Sequence, residues 1–220
     1  MKAIIIFDLD GTLVDSSSGI LFSLSETFNE SSRILSAPLT SALIGPPLGE
    51  TLRLLCPLAE EPELASLTSS FKSHYDTLGF KRTIPFPGVD EMLQSLAKAE
   101  ITLHIATNKR KRPTSQIVDL MGWSSLFDLV LSPDSVDPAL PSKAAILDKL
   151  LAEASLDAQD CLYIGDRLDD YNAAKEIGIP FALAEWGFEG DLSDFPPNTM
   201  RLKAPDAAQL ISSNIDHDSR

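Results

Sequence analysis

The opening of this chain constrains it most: Ala3-Ile4-Ile5-Ile6-Phe7-Asp8-Leu9-Asp10-Gly11-Thr12-Leu13-Val14-Asp15-Ser16. Its apolar half is dense in β-branched residues and reads as a strand buried on both faces of a sheet. It stops on two carboxylates one residue apart, followed by Gly11-Thr12, which suits a tight loop at the strand's carboxyl end. Unpaired carboxylates beside a core are costly. Either the pair is a solvated turn or something positive meets it, and a magnesium ion is the partner expected here.

The chain has 220 residues, 44% of them hydrophobic, enough for a full core in one domain with an insertion or in one large and one small domain. A formal net charge of −14 argues against a general nucleic-acid-binding surface. The acids are dispersed and read as a solvated face that aids solubility. Cys56 and Cys161 lack metal-type spacing, which points to a reducing compartment without a disulfide framework. Lys2 leads straight into the strand, so no secretory signal is expected. No apolar run approaches the roughly 20 residues of a membrane helix. The expectation is a cytoplasmic protein with neither nucleic-acid nor membrane partners.

Between about Ser17 and Pro85 the texture is helical. Ile20, Leu21, Leu24 and Phe28 share a face; Leu48, Leu52 and Leu55 form a second helix; Leu64, Leu67, Phe71 and Tyr75 a third, with Gly79 as a stop. Ile44-Gly45-Pro46-Pro47 breaks two helices, and no convincing strand occurs. From Phe86 onward strands and helices alternate. Pro87-Gly88 opens a helix; strands are expected at Ile101–Thr107, Phe127–Leu131, Asp160–Gly165 and Phe181–Ala184. Helices are expected after Pro113, over Lys143–Ala154 and up to Gly178, and Asn214–Arg220 reads as a polar tail. Such alternation implies an α/β fold: a Rossmann-like parallel sheet core with an inserted small all-α domain. The boundaries read as 1–15 with 86–220 for the core and 16–85 for the insertion.

Open parallel sheets bind ligands outside the carboxyl ends of their strands. Those ends carry Asp8 and Asp10, then Thr107-Asn108, then Asp166, with Lys143 opening the helix after the Leu131 strand. Three acids, a hydroxyl and a lysine fit magnesium-assisted phosphoryl transfer, with hard oxygen ligands for Mg2+ and Thr and Lys for phosphate oxygens.

These segments resemble the haloacid dehalogenase-like superfamily of phosphatases, in its phosphoglycolate-phosphatase-like branch with a helical cap. Phe7-Asp8-Leu9-Asp10-Gly11-Thr12-Leu13-Val14-Asp15-Ser16 matches the first motif and Ala106-Thr107-Asn108-Lys109 the second. Lys143 is the third, and Ile164-Gly165-Asp166-Arg167-Leu168-Asp169-Asp170 the fourth. Ile44–Leu48 and Pro85–Val89 are similar to the cap and the return to the core. One departure stands out: the family's third motif flanks its lysine with prolines as Lys-Pro-x-Pro, whereas here Asp137-Pro138-Ala139-Leu140-Pro141-Ser142 precedes Lys143.

The resemblance implies a role for each residue. Asp8 is the nucleophile that forms an aspartyl-phosphate. Asp8, Asp166 and the backbone carbonyl of Asp10 are the implied Mg2+ ligands, and the Asp10 side chain protonates the leaving oxygen and then activates water. Thr107, with backbone N–H groups near Gly11 and Asn108, binds equatorial phosphate oxygens. Lys143 neutralises charge on Asp8 and phosphate, and Asp170 orients the metal shell. Gly45, Lys109 and Arg110 are candidate substrate contacts for a small phosphorylated metabolite.

Each residue also has a plainer reading. Asp-x-Asp-Gly can be an exposed turn, Thr107 a helix cap, Lys143 a solvated lysine and Asp170 a first-turn acid favoured by the helix dipole. Asp169 reads as surface, Lys109–Arg112 also as a solvated loop and His104 as packing, while Trp186-Gly187-Phe188, after the last site strand, reads as pocket lining or, more plainly, as packing. His74, His104 and His217 are assigned to no metal. Rival functions are a sugar-phosphate mutase with the same chemistry and, in a different class, a catalytically silent binding or regulatory protein. A dehalogenase needs neither Asp10 nor Asp166, and a signalling receiver is near half this length.

Overall fold

The computed structural model describes residues 4–40, 43–44, 47–187 and 192–215. The apolar opening forms strand β1 (Ile4–Phe7), in which Ile5, Ile6 and Phe7 are wholly buried. A short strand β2 (Val14–Asp15) precedes the helices α1 (Ser17–Ser31), α2 (Leu48–Leu55) and α3 (Glu61–His74). After another two-residue strand, β3 (Ile84–Pro85), strands and helices alternate: α4 (Val89–Lys98), β4 (Thr102–Ala106), α5 (Lys111–Leu120), β5 (Leu129–Leu131), α6 (Lys143–Ala154), β6 (Cys161–Gly165), α7 (Leu168–Ile177) and β7 (Phe181–Ala184). Strand β8 (Met200–Leu202) and helix α8 (Ala207–Ile215) close the chain.

Six strands form one sheet in the order β5-β4-β1-β6-β7-β8, parallel throughout. β1 is apolar on both faces because it has a strand on each side and covered faces above and below, the situation of a parallel sheet. One face packs Ile6, Ala106 and Tyr163 under Ile146, Leu147, Leu150 and Leu151 of α6 and Ala173 and Ala174 of α7. The i, i+1, i+4, i+5 spacing gives α6 a single apolar stripe, and each such burial is worth about 1.5–3 kcal/mol. β2 and β3 make a separate two-stranded sheet.

The backbone divides into two compact units, residues 1–15 with 85–220 and residues 16–84. Within the second unit, α3 runs into a π-helical turn at Tyr75–Gly79 and a 3-10 turn at Phe80–Arg82. Glycine is required where that turn meets α1. A Cβ on Gly19 would lie 2.2 Å from the Gly79 carbonyl oxygen, and one on Gly79 would lie 2.3 Å from Ser23 Oγ.

The α/β class and parallel sheet match the sequence reading, and Lys143–Ala154 and Phe181–Ala184 keep their predicted bounds. Elsewhere the ends move. The strand expected from Phe127 begins at Leu129, and Asp160 belongs to a 3-10 turn before β6. Ile84–Pro85 pairs as a strand in a stretch read as strand-free. Asn214 lies in α8 rather than in a tail. Gly45, Pro46, Phe188 and residues 216–220 lie outside the described residues.

His104 is a buried packing residue of β4 whose Nδ1 accepts the Leu129 N–H at 3.2 Å. Burial holds its pKa below the usual value against the pull of Asp128. The folded chain therefore favours the neutral ring, while the unfolded chain takes up a proton near about 6.5. The contribution of this group to stability is complete above that pH and declines below it. Urea unfolding at pH 7.5 and 5.5 should show wild type losing more stability on acidification than His104→Leu; equal losses would contradict this.

Candidate active site

The register Phe7 to Ile105 on one side and Phe7 to Ile164 on the other brings the carboxyl ends of β4, β1 and β6 together. Thr107, Asp8 and Asp166 follow these ends directly. The winding reverses between β1 and β6, since β4 and β5 lie on one side of β1 and β6, β7 and β8 on the other; that is where such sheets bind ligands.

Asp8 remains part of the sheet, its N–H donating to the Ile164 carbonyl at 2.8 Å, and its carboxylate is buried. Lys143 is delivered to it by α6. Ser142 caps that helix, its hydroxyl accepting the Ala145 N–H at 3.2 Å, so Lys143 stands at the first helical position above a buried stripe. An ammonium has three protons, and the Lys143 Nζ meets three acceptors: Asp8 Oδ1 at 2.6 Å, Asp170 Oδ1 at 2.9 Å and the Tyr163 hydroxyl at 3.1 Å. The Tyr163 hydroxyl in turn lies 3.0 Å from Asp170 Oδ1 and 3.3 Å from the Ala106 carbonyl. Asp170 Oδ2 accepts the Arg167 N–H at 3.1 Å. The variant loop before Lys143 does not keep its ammonium from Asp8.

Asp166 packs against the first loop. Gly11 has φ +88°, and a Cβ there would lie 2.2 Å from Asp166 Oδ2, so a side chain is excluded on two counts. The Thr12 hydroxyl reaches Asp166 Oδ1 at 3.4 Å. Thr107 is buried at the end of β4; its Oγ1 accepts the Lys109 N–H at 3.2 Å, which leaves its own proton to donate. Asn108 Nδ2 donates to Asp169 Oδ2 at 3.2 Å, tying the second and fourth loops.

The remaining candidates take the following places. The Gly11 N–H donates to the Val14 carbonyl at 2.9 Å, so it closes its own loop rather than presenting to phosphate. Lys109 is not turned outward as a substrate contact: its Nζ lies 3.1 and 2.9 Å from the two oxygens of Asp10. Arg110 stands at the N-cap position of α5 with no side-chain cap hydrogen bond. Gly45 lies outside the described residues.

The electrostatics follow from burial. Burial pushes the Asp8 carboxyl up to about 6, Lys143 pulls it back, and Asp170 and Asp10 add repulsion. Burial holds Asp166 well above the usual carboxylate range, and Asp170 and Asp8 add to it more than Arg167 and Lys143 relieve. Burial alone would lower the Lys143 ammonium, yet Asp170 and Asp8 together hold it above its ordinary value. The Tyr163 phenol is raised by burial and then by Asp170, so it stays protonated.

Carboxylate oxygens of Asp8, Asp166 and Asp170 lie within 4.8 Å of one another. Three buried acids face one buried ammonium, with the Arg167 Nε a distant 3.9 Å from Asp166. The excess negative charge and the all-oxygen donor set fit a hard divalent cation. Both oxygens of Asp170 are already engaged, which leaves Asp8 and Asp166 as the side-chain donors best disposed to meet it. The Asp10 carboxylate, paired to Lys109, is not in this cluster, so Asp10 would contribute only its backbone carbonyl.

A family model described as haloacid dehalogenase-like hydrolase matches residues 5–184. The chain belongs to that family. It is 31% identical over 208 residues to the tyrosine-protein kinase PtkA of Mycobacterium tuberculosis, covering 94% of this chain and 69% of the relative. It is 30% identical over 188 residues to a phosphoglycolate phosphatase of Xylella fastidiosa, covering 84% and 80%. The solved structure of SP0104, a haloacid dehalogenase-like family protein of Streptococcus pneumoniae, superposes with a TM-score of 0.82 at 26% identity, covering 96% of this chain and 98% of that one.

Of the residues that meet at the site, Tyr163 is absent from the sequence reading, and Lys109, Trp186 and Gly187 have parts there that it does not give them. Tyr163 lies on β6 three residues before Asp166; a phenol on an otherwise apolar strand was the available signal. Lys109 follows Thr107-Asn108 in the second motif, where the sequence alone suggests a solvated or substrate-facing side chain. Trp186 Nε1 donates to the Thr12 carbonyl at 2.9 Å, and a Cβ on Gly187 would lie 2.4 Å from both Asp166 Cβ and the Gly11 carbonyl oxygen. The turn after β7 thus buttresses the first loop.

Lys143→Met leaves Asp8 and Asp170 buried without their cation, which costs about 3–5 kcal/mol. Because the folded pKa of Asp8 lies above its unfolded value, the penalty grows as pH rises through about 6. Denaturant unfolding without metal should show the deficit of this variant larger at pH 7.5 than at pH 5; a pH-independent deficit would contradict the charge assignment.

Proposed function

We propose that this chain is a phosphoric monoester hydrolase that uses Mg2+ and an aspartyl-phosphate at Asp8. The observation that carries the reading is the buried Asp8–Lys143 pair at 2.6 Å with Asp166 beside it, at the strand edge where a ligand would enter. The substrate class is a small phosphorylated metabolite. Phosphoglycolate is the first candidate, because relatives covering most of this chain bear that activity in their names.

The steps assigned to the chain's residues balance as follows. An Asp8 oxygen attacks phosphorus, and the ester P–O bond breaks with its electron pair on the leaving oxygen, which takes a proton from Asp10. Water then gives a proton to Asp10 as its oxygen attacks phosphorus, and the pair in the aspartyl bond returns to Asp8 with release of inorganic phosphate. Lys143 offsets the charge of Asp8 and the phosphoryl oxygens, and the Thr107 hydroxyl donates to one of them. Asp170 and Tyr163 hold Lys143. Asp8, Asp166 and the Asp10 carbonyl would hold Mg2+, which would supply the positive field that lets a carboxylate approach a phosphate dianion. Residues 16–84 are assigned as the family's helical cap, whose loops carry substrate choice.

One observation favours a second reading: the relative at 31% identity is named a tyrosine-protein kinase. Transfer of the phosphoryl group to a hydroxyl acceptor other than water, whether a tyrosine or, as in a mutase, a sugar, would use the same site.

Purified protein with Mg2+ should release phosphate from phosphoglycolate or an aryl phosphate, cease with chelator, and fall at least about a thousandfold in Asp8→Asn, in line with loss of a nucleophile. Phosphate appearing on an acceptor instead would favour transfer, and an active Asp8→Asn would remove the nucleophile assignment. Metal-free Asp166→Asn should melt above wild type, since it removes a buried, unfavourable charge, yet gain less from added Mg2+. Equal stabilisation of both by Mg2+ would exclude Asp166 as a ligand.

A further inference from the structure

Lys109 has no part in the steps above, yet it is among the most constrained residues of the site. Its backbone N–H donates to Thr107 Oγ1 at 3.2 Å, and its ammonium reaches both oxygens of Asp10 at 3.1 and 2.9 Å. The lysine side chain is only 8% exposed while the Asp10 side chain is 24% exposed, so the cation is the more deeply held partner. Asp10 sits past the end of β1 on the tight loop that Gly11 turns with its positive φ, its backbone bridged to Val14. A carboxylate there can adopt several rotamers, and a two-oxygen grip from a lysine anchored at both ends selects one.

We propose that Lys109 is a positioning residue for Asp10: it fixes the acid–base carboxylate and links its placement to Thr107, the phosphate-binding hydroxyl. The proposal rests on the reading of Asp10 as the proton donor and acceptor. The rival is that Lys109 turns to the substrate phosphate and acts independently of Asp10.

The two are separated by leaving-group dependence and a double-mutant cycle, with kcat/KM as the readout because it reports steps up to departure of the leaving group. An aryl phosphate such as 2,4-dinitrophenyl phosphate needs no proton on its leaving oxygen; an alkyl phosphate such as phosphoglycolate does. Lys109→Met should lower kcat/KM about 10–100-fold for the alkyl ester, the scale of a misplaced catalytic group, and less than about threefold for the aryl ester. Lys109→Arg should recover most of the loss, and Lys109→Gln gives a second neutral variant should the methionine variant fold poorly. Asp10→Asn combined with Lys109→Met should be no slower than Asp10→Asn alone. Equal losses for both esters, or losses that add to those of Asp10→Asn, would overturn the proposal in favour of direct phosphate contact. An Asp8→Asn variant that still turns over would instead undo the phosphatase reading itself.

Discussion

The ammonium of Lys143 and the carboxylates it meets form the interaction on which the rest of the site depends. Its three protons find Asp8, Asp170 and Tyr163, all buried. A buried ion pair is not in itself a stabilising device, since desolvation can exceed the Coulombic gain. Here the negative side is in excess, with Asp166 held against Gly11 as a third acid. The arrangement is strained toward a further cation, and that unbalanced charge is what a stable core would avoid and a phosphoryl-transfer site requires.

The fold supplies the precision. Asp8 is held by a sheet hydrogen bond past the end of a central, buried strand, and Lys143 by a capped helix whose apolar stripe is locked under the sheet. Tyr163 comes from β6, in register with Ile6 of β1, and so reaches the same face as Lys143. Each group in the cluster sits on a strand, at a helix start or in a loop braced by a second contact. Trp186 and Gly187 brace the first loop from the far side of Asp166. Placement of this kind comes from packing, so a core substitution beneath α6 would be felt at Asp8.

What was legible in the sequence divides along the same line. The α/β class could be read because strands buried on both faces are continuous apolar runs, and the runs ending in Asp8, Thr107 and Asp166 mark an edge. Lys143–Ala154 could be bounded because Ser142 and the leucine spacing declare a helix start and one face. Met200–Leu202 escaped notice because three residues with an arginine in the middle carry no periodicity, and only pairing with β7 makes them a strand. The grip of Lys109 on Asp10 joins residues 99 apart and depends on the path of two loops, which no local pattern encodes. The partner of the Gly11 amide is no more legible, for a related reason. Glycine announces a special backbone conformation but not which acceptor its N–H will find, and here it finds Val14.

Trapping the covalent intermediate tests the central claim most directly. Protein mixed with radiolabelled substrate and Mg2+ is quenched in acid within milliseconds, digested and mapped by mass spectrometry. The chemistry assigned to Asp8 predicts a hydroxylamine-labile acyl phosphate on the peptide that contains Asp8, absent from Asp8→Asn. A phosphoryl group on any other residue, or turnover with no phosphoenzyme at any quench time, would contradict it.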